Sequence, residues 1–212
     1  MRVTRSLAAA ALVGSSFEGM PPDTKTKFDQ ALKEYTNSQL YNADRPESLV
    51  NLAGVYAKQG LGEKAKRFYR DAIDLAPYYT PAYINLADYY RGKKDDAAGE
   101  NILTDALSKV REKAVIQHAL GLLLVREGKR DEGTEYLRRA AESPTATVRY
   151  KYVYAIALNS AGKQDQAIKV LEQARHDDPA NGDILMALVS IYREQGNFKM
   201  ASHYEAMLRN MH

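Results

Sequence analysis

The sequence predicts an all-α protein built as an array of antiparallel helical hairpins. Three observations carry that expectation. Small and apolar residues recur along the chain in one unbroken phase of about 34 residues. Glycines recur at one place in that phase, where a first helix must end and turn. Prolines follow the second helix in two of the units. Apolar periodicity alone would give helices, but it would not also set glycine at the turn and small residues where helices cross.

At 212 residues the chain can bury a core as one or two domains. Its 45% apolar and 27% charged content is that of an ordinary globular chain. A net charge of +3, with acids and bases interspersed, offers no block for a polyanion, so nucleic acid is a poor fit. There is no cysteine, which excludes disulfides, thiolate metal sites, cysteine nucleophiles and the C-x-x-C-H haem attachment within this chain. No apolar run approaches the roughly 18 residues of a membrane span.

Taken in order, residues 1–22 read as an N-terminal helix and a Pro-rich linker. MRVTRSLAAAALVGSS has two arginines, an apolar run and then small residues, which fits a secretory signal. The same Ala- and Leu-rich text fits an integral amphipathic helix. Gly19, Pro21 and Pro22 mark the break. Residues 23–45 read as a lone capping helix, the second half of a degenerate unit with Ala31, Tyr35 and Ser38 in phase.

Five units follow, at 46–79, 80–113, 114–147, 148–181 and 182–212. The first sets Leu49, Leu52, Ala53, Tyr56, Gly60, Ala65, Tyr69, Ala72 and Pro77 in order. Later units repeat it, for example through Gly128, Gly162 and Gly196 at the turn and Ala106, Ala140 and Ala174 at the crossing. The departures are specific. Lys94 stands where a turn glycine belongs, and Arg111 where a terminal proline belongs, so the second helix of that unit is expected to run on or bend. Pro144 comes one residue early, which shortens the next. Leu208 replaces a small residue, so the last helix is expected in a shifted register.

These spacings are those of W-x2-L-G-x2-Y…A-x3-F…P, and residues 46–212 resemble the tetratricopeptide-repeat (TPR) family. The resemblance implies a right-handed superhelical solenoid with no enzymatic activity. It also implies that the first helix of each hairpin lines a concave groove for a protein segment. Carried over residue by residue, that groove holds Val50, Asn51 and Lys58, then Ile84, Asn85, Asp88 and Arg91. It continues with Val115, His118, Leu122 and Arg126, then Arg149, Tyr152, Ile156 and Asn159, and ends with Asp183, Met186, Ser190 and Arg193. The carboxylate clamp of some family members has its slots at Val50, Gly54, Asn85, Val115 and Ala119, and only Asn85 matches, so that use fails here. An apolar line through Ile84, Leu122, Tyr152, Ile156 and Met186, flanked by Arg91, Arg126, Arg149 and Arg193, suits an apolar segment with acidic flanks. The competing reading is that these residues thicken the core, or that the N-terminal helix fills the groove.

Other chemistry finds no motif. The histidines at 118, 176, 203 and 212 lack H-E-x-x-H spacing, so no metal or cofactor is expected. Gly60-Leu61-Gly62-Glu63-Lys64 follows a helix and lacks the phosphate-loop spacing. No Gly-x-Ser-x-Gly occurs. The stripe Met200, Tyr204, Met207 and Met211 reads as core for the last helix, with a homodimer surface as the alternative. RYKYVY at 149–154 alternates like a strand, yet its place in the repeat puts it on a helix, with Tyr150 and Tyr154 packed between hairpins and Tyr152 turned to the groove.

Two segments, QLYNADRPESLVNLAGVYAKQG and RYKYVYAIALNSAGKQDQAI, are similar to the TPR region that closes certain bacterial multihaem c-type cytochrome-family proteins. There VTRSLAAAALVG would resemble the last HEAT-type helix, the chain would be a C-terminal piece, and the setting would be periplasmic. That resemblance implies an alternative function as a docking or assembly module of an electron-transfer protein, with no haem held by this chain.

Overall fold

The computed structural model describes residues 2–211. Among them there are helices and turns only, and the helices follow one another as twelve elements. They fall into two compact units that divide after Arg111. The first unit holds α1 (Arg2–Ala11), α2 (Pro22–Tyr41), α3 (Pro46–Lys58), α4 (Gly62–Leu75), α5 (Thr80–Gly92) and α6 (Asp96–Lys109). The second holds α7 (Lys113–Arg126), α8 (Arg130–Ala141), α9 (Val148–Ser160), α10 (Gln164–Asp177), α11 (Gly182–Glu194) and α12 (Phe198–Arg209). RYKYVY lies within α9, so repeat context outweighs its local strand preference.

Every hairpin from α3 onward turns in the same way. Gly60, Gly128, Gly162 and Gly196 have φ between +73° and +84°, the left-handed conformation that closes a helix at no steric cost in glycine. Lys94 takes the same conformation at φ +60°, the one non-glycine to do so among the described residues. After each of these residues the next backbone N–H donates to a carbonyl five residues back. Leu61 donates to Tyr56, Asp95 to Tyr90, Lys129 to Leu124, Lys163 to Leu158 and Asn197 to Tyr192, all at 2.8–3.0 Å. This is the Schellman closure of a helix end. Side-chain caps start four of the helices, from Asp95, Thr147, Asn181 and Asn197.

The small residues pack where the pattern puts them. Ala65, Ala72, Ala106, Ala140, Ala167 and Ala174 are fully buried. Backbone meets backbone at the α7–α8 crossing, where a Cβ on Gly133 would lie 2.8 Å from the Gly121 carbonyl. Around these crossings the second unit builds one core, with Leu158, Leu171, Ile184, Leu185 and Leu188 almost wholly removed from water. Leu208 is partly buried against that same core.

Two expectations change. Helix α6 neither runs on nor bends past Arg111: it stops at Lys109, two residues short, just as α4 stops two residues before Pro77. The exit residue explains it, since Val110 is extended and buried as Ala76 is buried after α4, so packing ends the helix where proline is missing. Nor does α2 stand alone, because α1 packs on it. Ala9 and Val13 are buried with Ala31, Leu32, Tyr35 and Val55, and Arg5 pairs with Glu34 at 2.9 Å. Helix α8 does end early, at Ala141, ahead of Pro144.

Candidate functional site

The first helices of the second unit, α7, α9 and α11, carry the expected apolar residues out to solvent. Leu122, Ile156 and Met186 are 39%, 37% and 54% exposed, although side chains of this type are usually covered. Tyr152 is half-buried and packs against the core edge. Its outer side joins Val148, Arg149, Val153, Asn181 and Asp183 around a cavity of about 350 Å³. Arg149 is exposed and has no ion pair among the described residues, although Asp183 shares the same cavity wall.

The remaining predicted residues of this unit divide. Arg193 donates to Glu205 at 2.5 Å, so its charge is already answered. Asn159 and Ser190 both donate to Glu194, at 3.4 and 3.2 Å. Arg126 is exposed. His118 departs from the expectation. It is only 7% exposed and stacks on Tyr150 with ring centroids 4.5 Å apart, so it lies within the packing and not on an open face. Neither ring nitrogen has a hydrogen-bond partner. Burial, and then the nearby Arg149 charge, hold its pKa down to about 4, so the ring is neutral at ordinary pH.

In the first unit, Asn85 donates to the Pro81 carbonyl at 2.8 Å, and Arg91 pairs with Asp88 at 3.0 Å. These two charges satisfy one another. Ile84 is half-buried. Asn51 donates to Gln39 at 3.1 Å. The sequence reading passed over a cavity of about 260 Å³ that opens beside Asn51, Lys58 and Asn85. Tyr35 and Tyr69 form part of its wall, and both read in the sequence as plain core positions. The signal that could have found it is Gly54, a glycine in mid-helix where the repeat tolerates a larger residue.

Among the described residues no helix is long and apolar enough to cross a membrane, and no group of three or more histidine or acidic side chains is placed to hold a metal.

Residues 46–79 and, separately, 158–204 match models of the tetratricopeptide repeat. Tetratricopeptide repeat protein 21A of Mus musculus is 22% identical over 153 residues, covering 71% of this chain. The chain spans only 12% of the length of that relative. Among solved structures, YrrB, "a TPR protein with an unusual peptide-binding site", is 20% identical with a TM-score of 0.60, covering 84% of this chain and 91% of its own. PilW, a "widely conserved type IV pilus biogenesis factor", is 16% identical with a TM-score of 0.69, covering 99% and 92%. MamA of Desulfovibrio magneticus RS-1 is 13% identical with a TM-score of 0.63, covering 78% and 94%. At such identities the likeness is one of fold: a solenoid of TPR hairpins. The similarity to multihaem cytochromes draws no support from these comparisons.

Proposed function

We propose that this TPR-bearing chain is a non-catalytic scaffold that binds a protein segment across the first helices of its second unit. The observation that carries the reading is the exposure of Leu122, Ile156 and Met186 beside Tyr152 and Arg149, which has no ion pair among the described residues. Apolar side chains so exposed leave favourable burial unused, at about 25 cal/mol for each Å² a partner covers. Arg149 adds a positive charge at the rim, which favours a segment with acidic residues flanking its apolar anchors. YrrB is described as having a peptide-binding site, and that use is carried to this chain as part of the proposal.

The test uses two synthetic amphipathic peptides with the same Leu and Ile anchors, one flanked by Glu and one by Lys. The Glu peptide is expected to bind and the Lys peptide to bind at least tenfold more weakly, a difference of about 1.4 kcal/mol. Tyr152→Ala combined with Arg149→Glu should abolish binding of the Glu peptide and leave the helical circular-dichroism spectrum intact. Unchanged binding in that double variant would sink the assignment.

A further inference from the structure

Two first helices of the second unit carry a like succession of side chains along one face. On α9 it runs Arg149, Tyr152, Ile156 and Asn159. On α11 it runs through Met186 and Ser190 to Glu194. Steps of three and four residues keep each set on one side of its helix. The strip is apolar in its middle, where Ile156 and Met186 lie open, and polar at its C-terminal end. From Arg149 to Asn159 it covers about 15 Å of helix.

That end is built around Glu194. Its carboxylate accepts from Gln164 Nε2 at 3.1 Å, from Ser190 Oγ at 3.2 Å and from Asn159 Nδ2 at 3.4 Å. All three donors are neutral, and Glu194 makes no ion pair among the described residues. The nearest cations in sequence do not answer it: Arg193 is held by Glu205, and Lys163 forms no ion pair among the described residues. On the same Asn159 amide, Oδ1 is shut off from water and accepts no hydrogen bond. A buried acceptor normally finds a donor. An exposed carboxylate with its charge unanswered therefore stands beside an acceptor without a donor, where an open apolar strip ends. A cation bearing N–H groups supplies both wants.

We infer that Glu194 and Asn159 receive a lysine or arginine side chain of a bound amphipathic helix, whose acid lies at the Arg149 end and whose apolar anchors lie between. A helix laid along α9 and α11 spans the strip with about ten residues, which sets the spacing of its two charges. The inference rests on the proposal that the second unit binds a protein segment, and it adds the group that fixes how that segment lies. Glu194 already commits lone pairs to three donors, whereas Arg149 has no ion pair among the described residues. The cation thus contributes less than the acid, and the acidic preference proposed above stands.

The experiment titrates the full chain, at low salt, into three fluorescent amphipathic peptides and follows their anisotropy. All three share the Leu and Ile anchors and a Glu at one end; about ten residues away they carry Lys, Gln or Glu. The expected order is Lys tightest, then Gln, then Glu, with Lys about threefold tighter than Gln, as suits an ion pair at an exposed rim. Glu194→Gln should bring the Lys-to-Gln ratio to about one. Asp165 is a second carboxylate nearby, bound to Gln195 at 3.0 Å but placed on α10 outside the strip, so Asp165→Asn should keep the ratio. Equal affinity for the Lys and Gln peptides, a preference that survives Glu194→Gln, or an equal loss in Asp165→Asn overturns the subsite and leaves the groove standing. No binding by any of the three peptides overturns the groove and the subsite together.

Discussion

Replacing Gly133 by alanine sets two opposed effects against one another, and the structure decides between them. In an open helix the change is favourable by about 1 kcal/mol, because glycine costs more backbone entropy than alanine. At Gly133 the new Cβ would lie 2.8 Å from the Gly121 carbonyl oxygen, from the Val125 backbone nitrogen and from Val125 Cγ2. Two of those three atoms belong to the backbone of α7, so no rotamer change relieves the collision and α8 must move away. Overpacking of this kind costs about 1–3 kcal/mol, and the upper part of that range applies because backbone meets backbone. The net is a loss of about 1–2 kcal/mol, or roughly 2–8 °C in melting temperature for a chain of this size. Gly54→Ala is the control for sign, since its nearest neighbour is the Tyr69 hydroxyl at 3.9 Å. It should gain about 0.5–1 kcal/mol. Urea unfolding followed by far-ultraviolet circular dichroism measures both. If Gly133→Ala is as stable as the wild type, the close approach of α7 and α8 does not limit packing and the reasoning fails.

Two further outcomes are expected. Lys94→Gly removes the penalty of a non-glycine residue at φ +60° and should stabilise the fold by about 0.5–1 kcal/mol, seen as a higher urea midpoint with an unchanged slope. His118 has a folded-state pKa of about 4 against an ordinary 6.5, so the unfolded chain takes up its proton first as pH falls. Its contribution is complete above pH 6.5 and is lost between there and about pH 4. At 1.36 kcal/mol per pH unit the loss is at most about 3 kcal/mol. His118→Phe should flatten the stability profile over that window, and a profile as steep as the wild type would show that other groups set it.

The repeat phase made the hairpins legible because helix ends and crossings are local demands that particular residue types meet. Lys94 could be named as the odd turn residue, and α9 could be taken for a helix despite RYKYVY. Legibility ended where a residue's surroundings come from another hairpin. His118 shares its phase position with Tyr152, yet Tyr150 covers it from the next hairpin, and no spacing within α7 reveals that contact. The stop of α6 depends in the same way on Val110 being buried, where the pattern offered only a missing proline. Lys58 was visible as a face residue. That Tyr35 and Tyr69 wall a cavity beside it was not, since periodicity records that a ring is apolar and says nothing of the space it borders.

The shared turn geometry makes the chain editable at fixed seams. Lys129 and Lys163 each follow a left-handed glycine and each donate to a carbonyl five residues back. Cutting out residues 129–162 would join Gly128 directly to Lys163. That junction presents the same backbone conformation and the same donor as the two it replaces. Duplicating the same stretch would likewise create no unfamiliar peptide. A solenoid with interchangeable seams can gain or lose a hairpin, and so grow or shrink by whole repeats, without any new loop having to be found.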